Sequence, residues 1–424
     1  MSTQSVNPSA AVELDATDLV PPASEYPVAS FFPRKKSERH SQVAVSSPLE
    51  VDAEGVWHIY GYELARAFLR AEGTRQAGFR AELMDRLTVR MRPPVLYQHG
   101  TEHHRQRRMI ARFFTPKTTS EKHRSMMERC AEELIARLRR NRQSDLSELS
   151  LAMSVQVAAH VVGLTDSRLS GMHRRIATFL DGDPDESREG PVGRSLLWLR
   201  RQADILKFLY LDVVPAINAR RRSPQEDVIS HLLAQGSTLP EILTECLTYA
   251  AAGMVTTREF ICMAAWHLLA SPELRNLYVS SSEATRHRML QEALRLEPVV
   301  GVLKRRTAGP FVVRTGGIVS IIPAGSLIHV HVGVANLDPH VVGACPRALC
   351  PERPLPAGCV SPALLSFGEG EHRCPGSYIA MQESDIFLLR LLTLNGLHIK
   401  TAPTLSWGAI TQGYELRKFM VAIS

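Results

Sequence analysis

One ten-residue stretch decides the fold, Phe367-Gly368-Glu369-Gly370-Glu371-His372-Arg373-Cys374-Pro375-Gly376. Its glycines allow tight turns and let the backbone approach a flat or bulky group closely. Cys374 stands just before a predicted helix, where unpaired amides and the positive end of the helix dipole favour a thiolate. Gly376 is predicted to leave the sulfur uncrowded. The loop therefore favours a thiolate that binds a metal.

Several kinds of site use a cysteine in such a loop, and Cys thiolate is one of the axial ligands of haem iron. A buried structural thiol is common, and a nucleophilic Cys would need His372 as its base, although side chains on one loop need not meet. Zinc or an iron–sulfur cluster would draw on Cys345, Cys350 and Cys359, whose spacings lack a CxxC pair. A phosphate loop is disfavoured because no Lys-Ser/Thr pair follows the glycines.

The ten residues resemble the haem-binding loop of the cytochrome P450 family, FGxGxHxCxG, at every fixed position. The resemblance implies that Cys374 is the proximal thiolate ligand of a haem iron, with Phe367 packed near it. It also implies that His372 lies close to a haem propionate, and that Gly368 and Gly376 belong to the cofactor-binding loop.

A second motif, Glu292-Ala293-Leu294-Arg295, matches the family's ExxR. Residues three apart share a helix face, so the carboxylate and the guanidinium can pair, although such pairs alone are usually solvated and contribute little. In the family this pair is joined by a second arginine ahead of the cysteine, and Arg353 is the best match for this structural role. The stretch 335–339 resembles the family's ANRDP, with Leu337 where Arg is usual.

The cofactor's carboxylates would need cationic partners. His103 and Arg107 are four residues apart, so they project from one helix face and resemble the family's HxxxR. Without the other motifs a solvated basic helix or a nucleic-acid patch would be favoured. Arg306 resembles the family's third propionate contact, with Arg305 as its main competitor.

A long helix predicted over 240–269 carries the candidate catalytic residues Ala252, Gly253 and Thr256. Small residues let a flat ring lie against the backbone, and Gly253 permits local distortion. Thr256 is predicted to donate a hydrogen bond to bound oxygen; alternatively it bonds back to the preceding turn. The stretch resembles the family's AGx(D/E)T(T/S), except that Val255 replaces the acid. Protons would then arrive through Thr256 and water, through a group such as Glu259, or with help from the substrate.

The periodicity predicts a mainly α fold with a small β region. Helices are expected near 126–138, 146–162, 195–214 (ending before a proline), 240–269, 271–296 and 377–392, and strands near 311–313, 318–321 and 327–332. Absence of βαβ alternation disfavours a doubly wound fold. The resemblance implies the cytochrome P450 fold, with a flexible N-terminal tail at 1–25 and one large haem-centred catalytic domain at 26–424.

Composition sets the cellular expectations. The chain has 424 residues, 44% hydrophobic and 22% charged, with a net charge of +7, which is ordinary for a globular protein. Seven cysteines without an apparent signal peptide indicate reduced thiols and a cytoplasmic protein. No stretch is predicted to span a membrane.

The resemblance implies a soluble, bacterial-type haem-thiolate monooxygenase that uses haem b and O2 to hydroxylate or otherwise oxidise a small hydrophobic substrate such as a secondary metabolite. Electrons would come from NAD(P)H through a ferredoxin-type partner and its reductase; neither nucleic acid nor a membrane is an expected partner. One alternative is oxidative coupling, desaturation or peroxide-driven oxidation on the same scaffold, because Val255 replaces the distal acid. The other is a non-catalytic interaction domain of this fold, which retention of Cys374, Arg295 and Thr256 disfavours.

Overall fold

The computed structural model describes residues 12–15, 47–79, 81, 91–180, 191–315, 318–343, 345–355, 359, 361–408 and 411–424. Helices dominate this part of the chain. They are α1 (Tyr62–Arg70), α2 (Gly100–Ala111), α3 (Arg124–Asn141), α4 (Leu146–Val162), α5 (Met172–Leu180), α6 (Pro191–Phe208), α7 (Val214–Arg222), α8 (Val228–Ala234), α9 (Leu239–Tyr249), α10 (Thr256–Ala270), α11 (Pro272–Ser280), α12 (Glu283–Leu296) and α13 (Ser377–Leu392). The mainly α prediction is confirmed, and the bounds predicted for α4 and α13 agree with those observed.

The prediction that a helix ends before Pro215 is wrong. After α6 the chain makes a π-helical turn at Leu209–Val213 and continues directly into α7. Pro215 lies in the first turn of α7, directly after the π-helical turn, and such distortions accompany prolines within a helical path. The proline therefore does not end the helical path.

The long helix predicted over 240–269 is continuous but contains a π-helical segment at Ala250–Val255, between α9 and α10. A π segment displaces carbonyls from their usual partners, and such segments are frequent at functional sites. Here the Ser154 hydroxyl donates to the Met254 carbonyl at 2.7 Å. Packing against α4 thus satisfies a backbone group within the distorted segment.

The described strands form four small sheets. The strands are β1 (Val12–Asp15), β2 (Leu49–Val51), β3 (Trp57–Ile59), β4 (Thr74–Gln76), β5 (Gln143–Asp145), β6 (Val302–Thr307), β7 (Phe311–Thr315), β8 (Ile318–Ile322), β9 (Leu327–His331), β10 (Leu397–Thr401), β11 (Thr404–Gly408), β12 (Gly413–Arg417) and β13 (Met420–Ile423). One sheet has the order β2-β3-β9-β6-β4, a second β1-β7-β8, a third β10-β13-β5, and a fourth β11-β12. Strands β7, β8 and β9 were predicted; β6 was missed because its Lys304, Arg305 and Arg306 lack an apolar alternation.

The tail predicted to be flexible at 1–25 contains an ordered strand, because Val12–Asp15 forms β1 and pairs in parallel with Phe311–Arg314 of β7. Leu14 is buried against the smaller of two hydrophobic clusters, between α1 and the sheets. The rest of that predicted tail lies outside the described residues, and the domain bounds stay a prediction.

The larger hydrophobic cluster fills the space among the helices. No helix in the described ranges has the length and apolar character needed to cross a bilayer.

Candidate functional site

The glycine-rich loop forms two 3-10 turns, Leu364–Phe367 and Gly370–His372, just before α13. The Cys374 N–H donates to the Phe367 carbonyl at 2.8 Å, which closes the loop. Gly370 has a φ of +69°, and a β-carbon there would lie 2.2 Å from the Leu69 carbonyl oxygen. Because a backbone atom cannot move aside cheaply, this position requires glycine. The loop therefore packs directly on α1.

Gly376 affects the sulfur in two ways. A β-carbon at Gly376 would meet the Cys374 Sγ at 4.0 Å, so the absence of a side chain keeps this side of the sulfur open, as predicted. The Gly376 backbone amide also hydrogen-bonds the sulfur. Burial raises the pKa of the Cys374 thiol, while this amide, Arg107 and Arg373 oppose the rise. Amide and cation stabilise the thiolate form.

The ExxR prediction brings three charged side chains together in the interior. Glu292 accepts from Arg295 Nε at 2.6 Å and Nη2 at 3.0 Å, and from Arg353 Nε at 3.3 Å. Arg295 is 0% exposed and Glu292 is 2% exposed. Burial is the main cause that lowers the pKa of Arg295, and its bond to Glu292 opposes this. The pair is thus a buried ion pair, unlike the solvated pairs common at this spacing.

Asn336, from the motif with Leu337 in place of arginine, connects this ion pair to the cysteine loop. Its carbonyl accepts from Arg295 at 3.1 Å. Its side chain donates to the Ser366 hydroxyl at 2.8 Å and accepts from the Leu365 N–H at 3.0 Å. The buried arginine therefore supports the 3-10 turn that leads to Cys374.

His103 and Arg107 of α2 both face the cysteine loop. The His103 ring stacks on the His372 ring, with centroids 4.2 Å apart, and the Arg107 guanidinium donates to the Arg373 carbonyl. Burial lowers the pKa of His103 to about 4, helped by Arg107, and burial followed by Arg305 lowers that of His372 strongly. Both imidazoles are therefore neutral near pH 7.

The assignment of Arg306 to this cluster is wrong, and Arg305 takes the place. Neighbouring strand residues point to opposite faces, and in β6 Arg305 is buried while Arg306 donates to the Gly325 carbonyl at 2.8 Å. Burial lowers the pKa of Arg305 to about 10, with Glu371 opposing the shift. Arg305 is also close enough to His103 and His372 to lower their pKa values. Strand alternation, had β6 been recognised, would have separated the two arginines but not chosen between them.

The predicted catalytic helix presents its small residues to open space. Ala252 is exposed, and a β-carbon added to Gly253 would meet no atom within 4 Å. The Thr256 hydroxyl donates to the Ala252 carbonyl at 2.6 Å. Its proton is therefore engaged, contrary to the prediction that it donates to bound oxygen, and its lone pairs are what it can offer a ligand.

Glu259 does not replace the missing acid. Its carboxylate accepts from Arg258 at 2.8 Å, from Arg417 at 2.7 Å and from the Leu416 N–H at 2.8 Å, so it ties α10 to β12. Two other acids with a buried carboxyl oxygen were not predicted from the sequence: Glu245, whose pKa burial raises to about 7, and Glu383, whose pKa burial raises well above its usual value. Their one sequence signal is an acid inside a largely apolar helix.

The donor set fits a haem. In the described part of the chain, His103 Nδ1 and His372 Nε2 are buried without a hydrogen-bond partner. The acceptors of the buried Arg305 guanidinium are neutral, the Gln76 amide oxygen and the Lys304 carbonyl. One carboxylate lies close to both imidazoles, that of Glu371, 3.7 Å from His103 Nδ1 and 3.6 Å from His372 Nε2. Arg107 and Arg305 leave the cluster with more cationic than anionic groups, and two propionates would balance them and supply hydrogen-bond acceptors. Arg107 affects the pKa of both Cys374 and Tyr249, so the thiol and the end of α9 are both near it.

The fold and this donor set define a haem-thiolate protein. Residues 287–401 match the family model "Cytochrome P450". The chain is similar to pulcherriminic acid synthase of Bacillus subtilis, with 28% identity over 319 residues that cover 72% of this chain and 75% of that protein. It is also similar to the biotin biosynthesis cytochrome P450 of Bacillus subtilis, at 23% identity over 79% and 82% of the two chains.

Solved structures agree on the fold. CalO2 superposes with a TM-score of 0.72 at 22% identity, covering 91% of this chain and 94% of that one. P450BioI, solved in complex with a hexadec-9Z-enoic acid ligated acyl carrier protein, superposes with a TM-score of 0.70 at 21% identity, covering 89% and 95%.

The family-model match, the relatives and the shared fold together support a cytochrome P450 monooxygenase, an oxidoreductase. Cytochromes P450 use haem b, O2 and electrons that originate from NAD(P)H and arrive through partner proteins. The prediction of the family, enzyme class and cofactors is thereby confirmed.

Proposed function

We propose that Cys374 is the axial ligand of the haem iron, that His103, Arg107, Arg305 and His372 hold its propionates, and that the enzyme oxidises a small hydrophobic molecule. The observation that carries this assignment is the cluster of Arg107, the buried Arg305 and two imidazoles that each have a buried nitrogen without a hydrogen bond, all beside a thiol whose sulfur accepts a backbone amide. Few other ligands need both a thiolate and several cationic or N–H groups placed to donate hydrogen bonds to carboxylates.

When bound, the haem supplies the reductive activation of O2 and the oxidation of the substrate. The protein's part is to hold and shield it. Gly376 N–H and Arg107 stabilise the Cys374 thiolate, the Glu292–Arg295–Arg353 cluster fixes the loop that carries it, and Phe367 closes that loop. At the start of α10, Thr256 keeps its proton on the Ala252 carbonyl and would offer its oxygen to a water or a protonated ligand.

A spectrum tests the ligand assignment. The Soret band of the reduced carbon monoxide complex is expected at the position typical of thiolate ligation and is expected to be lost in Cys374→Ala. Cys350→Ala, a buried thiol outside the loop, serves as the control and should keep the band. A thiolate spectrum in Cys374→Ala would contradict the assignment.

The proposed substrate class rests on the π-helical segment between α9 and α10. Ala252 and Gly253 offer no polar side chain to the open space beside them. Solved structures of this fold contain molecules as different as erythromycin B and corticosterone, so the fold alone does not set the substrate. We expect the loops at 80–98 and 165–195 to determine selectivity. Of these, residues 80, 82–90 and 181–190 lie outside the described residues. A spectral binding screen of aromatic, terpenoid and peptide-like compounds, with charged sugars as the comparison set, tests the proposed substrate class. Shifts of the Soret band with charged sugars alone would contradict a hydrophobic substrate.

A second candidate function, coupling, desaturation or peroxide-driven oxidation, rests on the missing distal acid. Val255 is buried and Glu259 is fully engaged by Arg258, Arg417 and a backbone N–H. Val255→Asp is expected to change the fraction of consumed reducing equivalents that appears in product while haem binding stays intact. Val255→Asn provides the uncharged control. An unchanged ratio and rate in Val255→Asp would remove the support for this candidate.

The electron donor is proposed to be a ferredoxin, an acidic protein that docks on the face carrying the cysteine loop. Arg105, Arg108 and Arg112 are exposed on or beside α2, the same helix that contacts the loop through Arg107. Complementary charge mainly raises the association rate and is screened by salt. Arg108→Glu should slow reduction of the iron at low salt, whereas Arg139→Glu at the exposed end of α3 should not. Equal rates in both variants would exclude this surface.

A further inference from the structure

Three histidines lie together on a sheet far along the chain from the cysteine loop. His58 of β3 is the register partner of His329 of β9, and His331 follows two residues later. Because alternate strand residues share a face, all three side chains project from one side of the β2-β3-β9-β6-β4 sheet. The other side is the core face, where Ile59, Ile328 and Val330 are each 0% exposed. The three imidazoles are half-buried.

The nitrogen atoms are arranged as a set. One ring nitrogen from each of the three histidines lies within 4.8 Å of the others. His58 Nδ1 is 2.8 Å from His331 Nε2, and His58 Nε2 is 3.0 Å from Asp52 Oδ2. The Tyr60 ring stacks on His331 with centroids 4.5 Å apart, which limits the ring's freedom to rotate. Thus a carboxylate and an aromatic ring orient two of the three imidazoles.

A hydrogen-bonded stack of neutral histidines accounts for only part of this arrangement. It explains the bond between His58 and His331 and the bond to Asp52. It leaves His329 Nε2, which is buried and has no hydrogen-bond partner in the described part of the chain. Buried polar atoms normally have a partner, so this nitrogen points to a ligand.

The hydrogen bond to Asp52 also suits a metal site. An Asp that accepts from the far nitrogen of a ligating His fixes its tautomer and raises its basicity. Asp52 has this relation to His58.

We propose that His58, His329 and His331 form a binding site for a divalent transition-metal ion such as Zn²⁺, with Asp52 orienting His58 and the fourth position left to a solvent or ligand atom. Zinc–nitrogen bonds of about 2.0–2.1 Å put tetrahedral donors about 3.3 Å apart. Separations that all lie within 4.8 Å therefore need to close by roughly 1.5 Å at most, which side-chain rotation supplies. The bound ion would connect β3 to β9 across 270 residues of chain.

Zinc binding to the purified holoprotein tests the proposal. After removal of metals with a chelator and dialysis, Zn²⁺ alone is titrated in competition with a chromophoric zinc indicator, and bound metal is counted by elemental analysis. One Zn²⁺ per chain is expected. His329→Ala, which spares the bond between His58 and His331, should weaken this binding about 100-fold or more, and Asp52→Asn about 10- to 100-fold. His340→Ala, an exposed histidine elsewhere, should leave it unchanged.

The haem spectrum and far-UV circular dichroism of each variant establish that it is folded. A second readout uses stability, because a ligand that binds only the native state raises the unfolding midpoint. Zn²⁺ should raise it in the wild type but not in His329→Ala. Full-strength binding in His329→Ala would place the zinc elsewhere, for instance on Cys345, and overturn the proposal, as would absence of binding in the wild type below about 100 µM Zn²⁺.

Discussion

Replacing Glu292 by Gln removes the one carboxylate that Arg295 and Arg353 share in the interior. Glu292 accepts two hydrogen bonds from Arg295, one from Arg353 and one from the Cys350 N–H at 2.9 Å. The amide keeps the shape and part of the hydrogen bonding but supplies no charge. Two buried guanidiniums then lose the carboxylate that they share.

The expected loss can be sized from the neighbours. Removing one partner of a buried ion pair costs about 3–5 kcal/mol, which lowers the folding equilibrium between roughly 100-fold and several thousand-fold. The lower end is expected here, because Arg295 also donates to carbonyls of Asn336, Pro346 and Ala348 at 2.7–3.1 Å. These carbonyls partly solvate the charge that remains.

The assay is urea unfolding of the holoprotein, followed in parallel by far-UV circular dichroism and Soret absorbance. Glu102→Gln is the matched control: Glu102 binds Arg105 at the same spacing, with bonds of 2.6 and 2.9 Å, but in solvent. Exposed pairs of this kind contribute little, so its midpoint should stay within error. Equal midpoints for Glu292→Gln and Glu102→Gln would refute the reasoning that burial gives this pair its importance.

Three further changes have matched outcomes. Arg305→Gln should speed haem transfer to an acceptor apoprotein about tenfold or more, since charged hydrogen bonds contribute about 1.5–3 kcal/mol. Arg306→Gln should leave the transfer rate unchanged. Faster transfer from Arg306→Gln than from Arg305→Gln would support Arg306 as the propionate contact, as the sequence predicted. Gly370→Ala should lower the free energy of unfolding by about 3 kcal/mol, because the new β-carbon clashes with an α1 carbonyl. Gly325→Ala is the control and should cost about 1 kcal/mol, because Gly325 shares the positive φ but a β-carbon there meets no atom within 4 Å. Similar losses on denaturant unfolding would show that the clash is not the cause. Burial raises the pKa of Glu245 from 4.5 to about 7, so the native state keeps this proton to higher pH than the unfolded chain does. The free energy of unfolding therefore falls as pH rises from 4.5 to 7. Glu245→Gln should remove up to ~3 kcal/mol of that fall, and parallel profiles of stability against pH for variant and wild type would contradict the prediction.

Much of the helical architecture was predictable because it depends on local spacing. Leu146–Val162 and Ser377–Leu392 have an apolar period and clear ends, and their bounds were predicted correctly. Prediction failed where tertiary contacts override local preference. Pro215 begins a helix after a π turn, and the Ala250–Val255 distortion depends on a hydroxyl from α4.

The sequence alone determined the family, the haem-thiolate loop around Cys374 and the pairing of Glu292 with Arg295, because each is written in spacings of a few residues. It did not determine which of Arg305 and Arg306 faces the site, since adjacent strand residues differ only in the face that packing buries. It likewise left Glu259 open as a proton source, until the fold brought Arg417 to its carboxylate. The meeting of His58 with His329 was decided only by the parallel pairing of β3 and β9, because such long-range contacts arise from burying the opposite face of the sheet and leave no pattern in the chain.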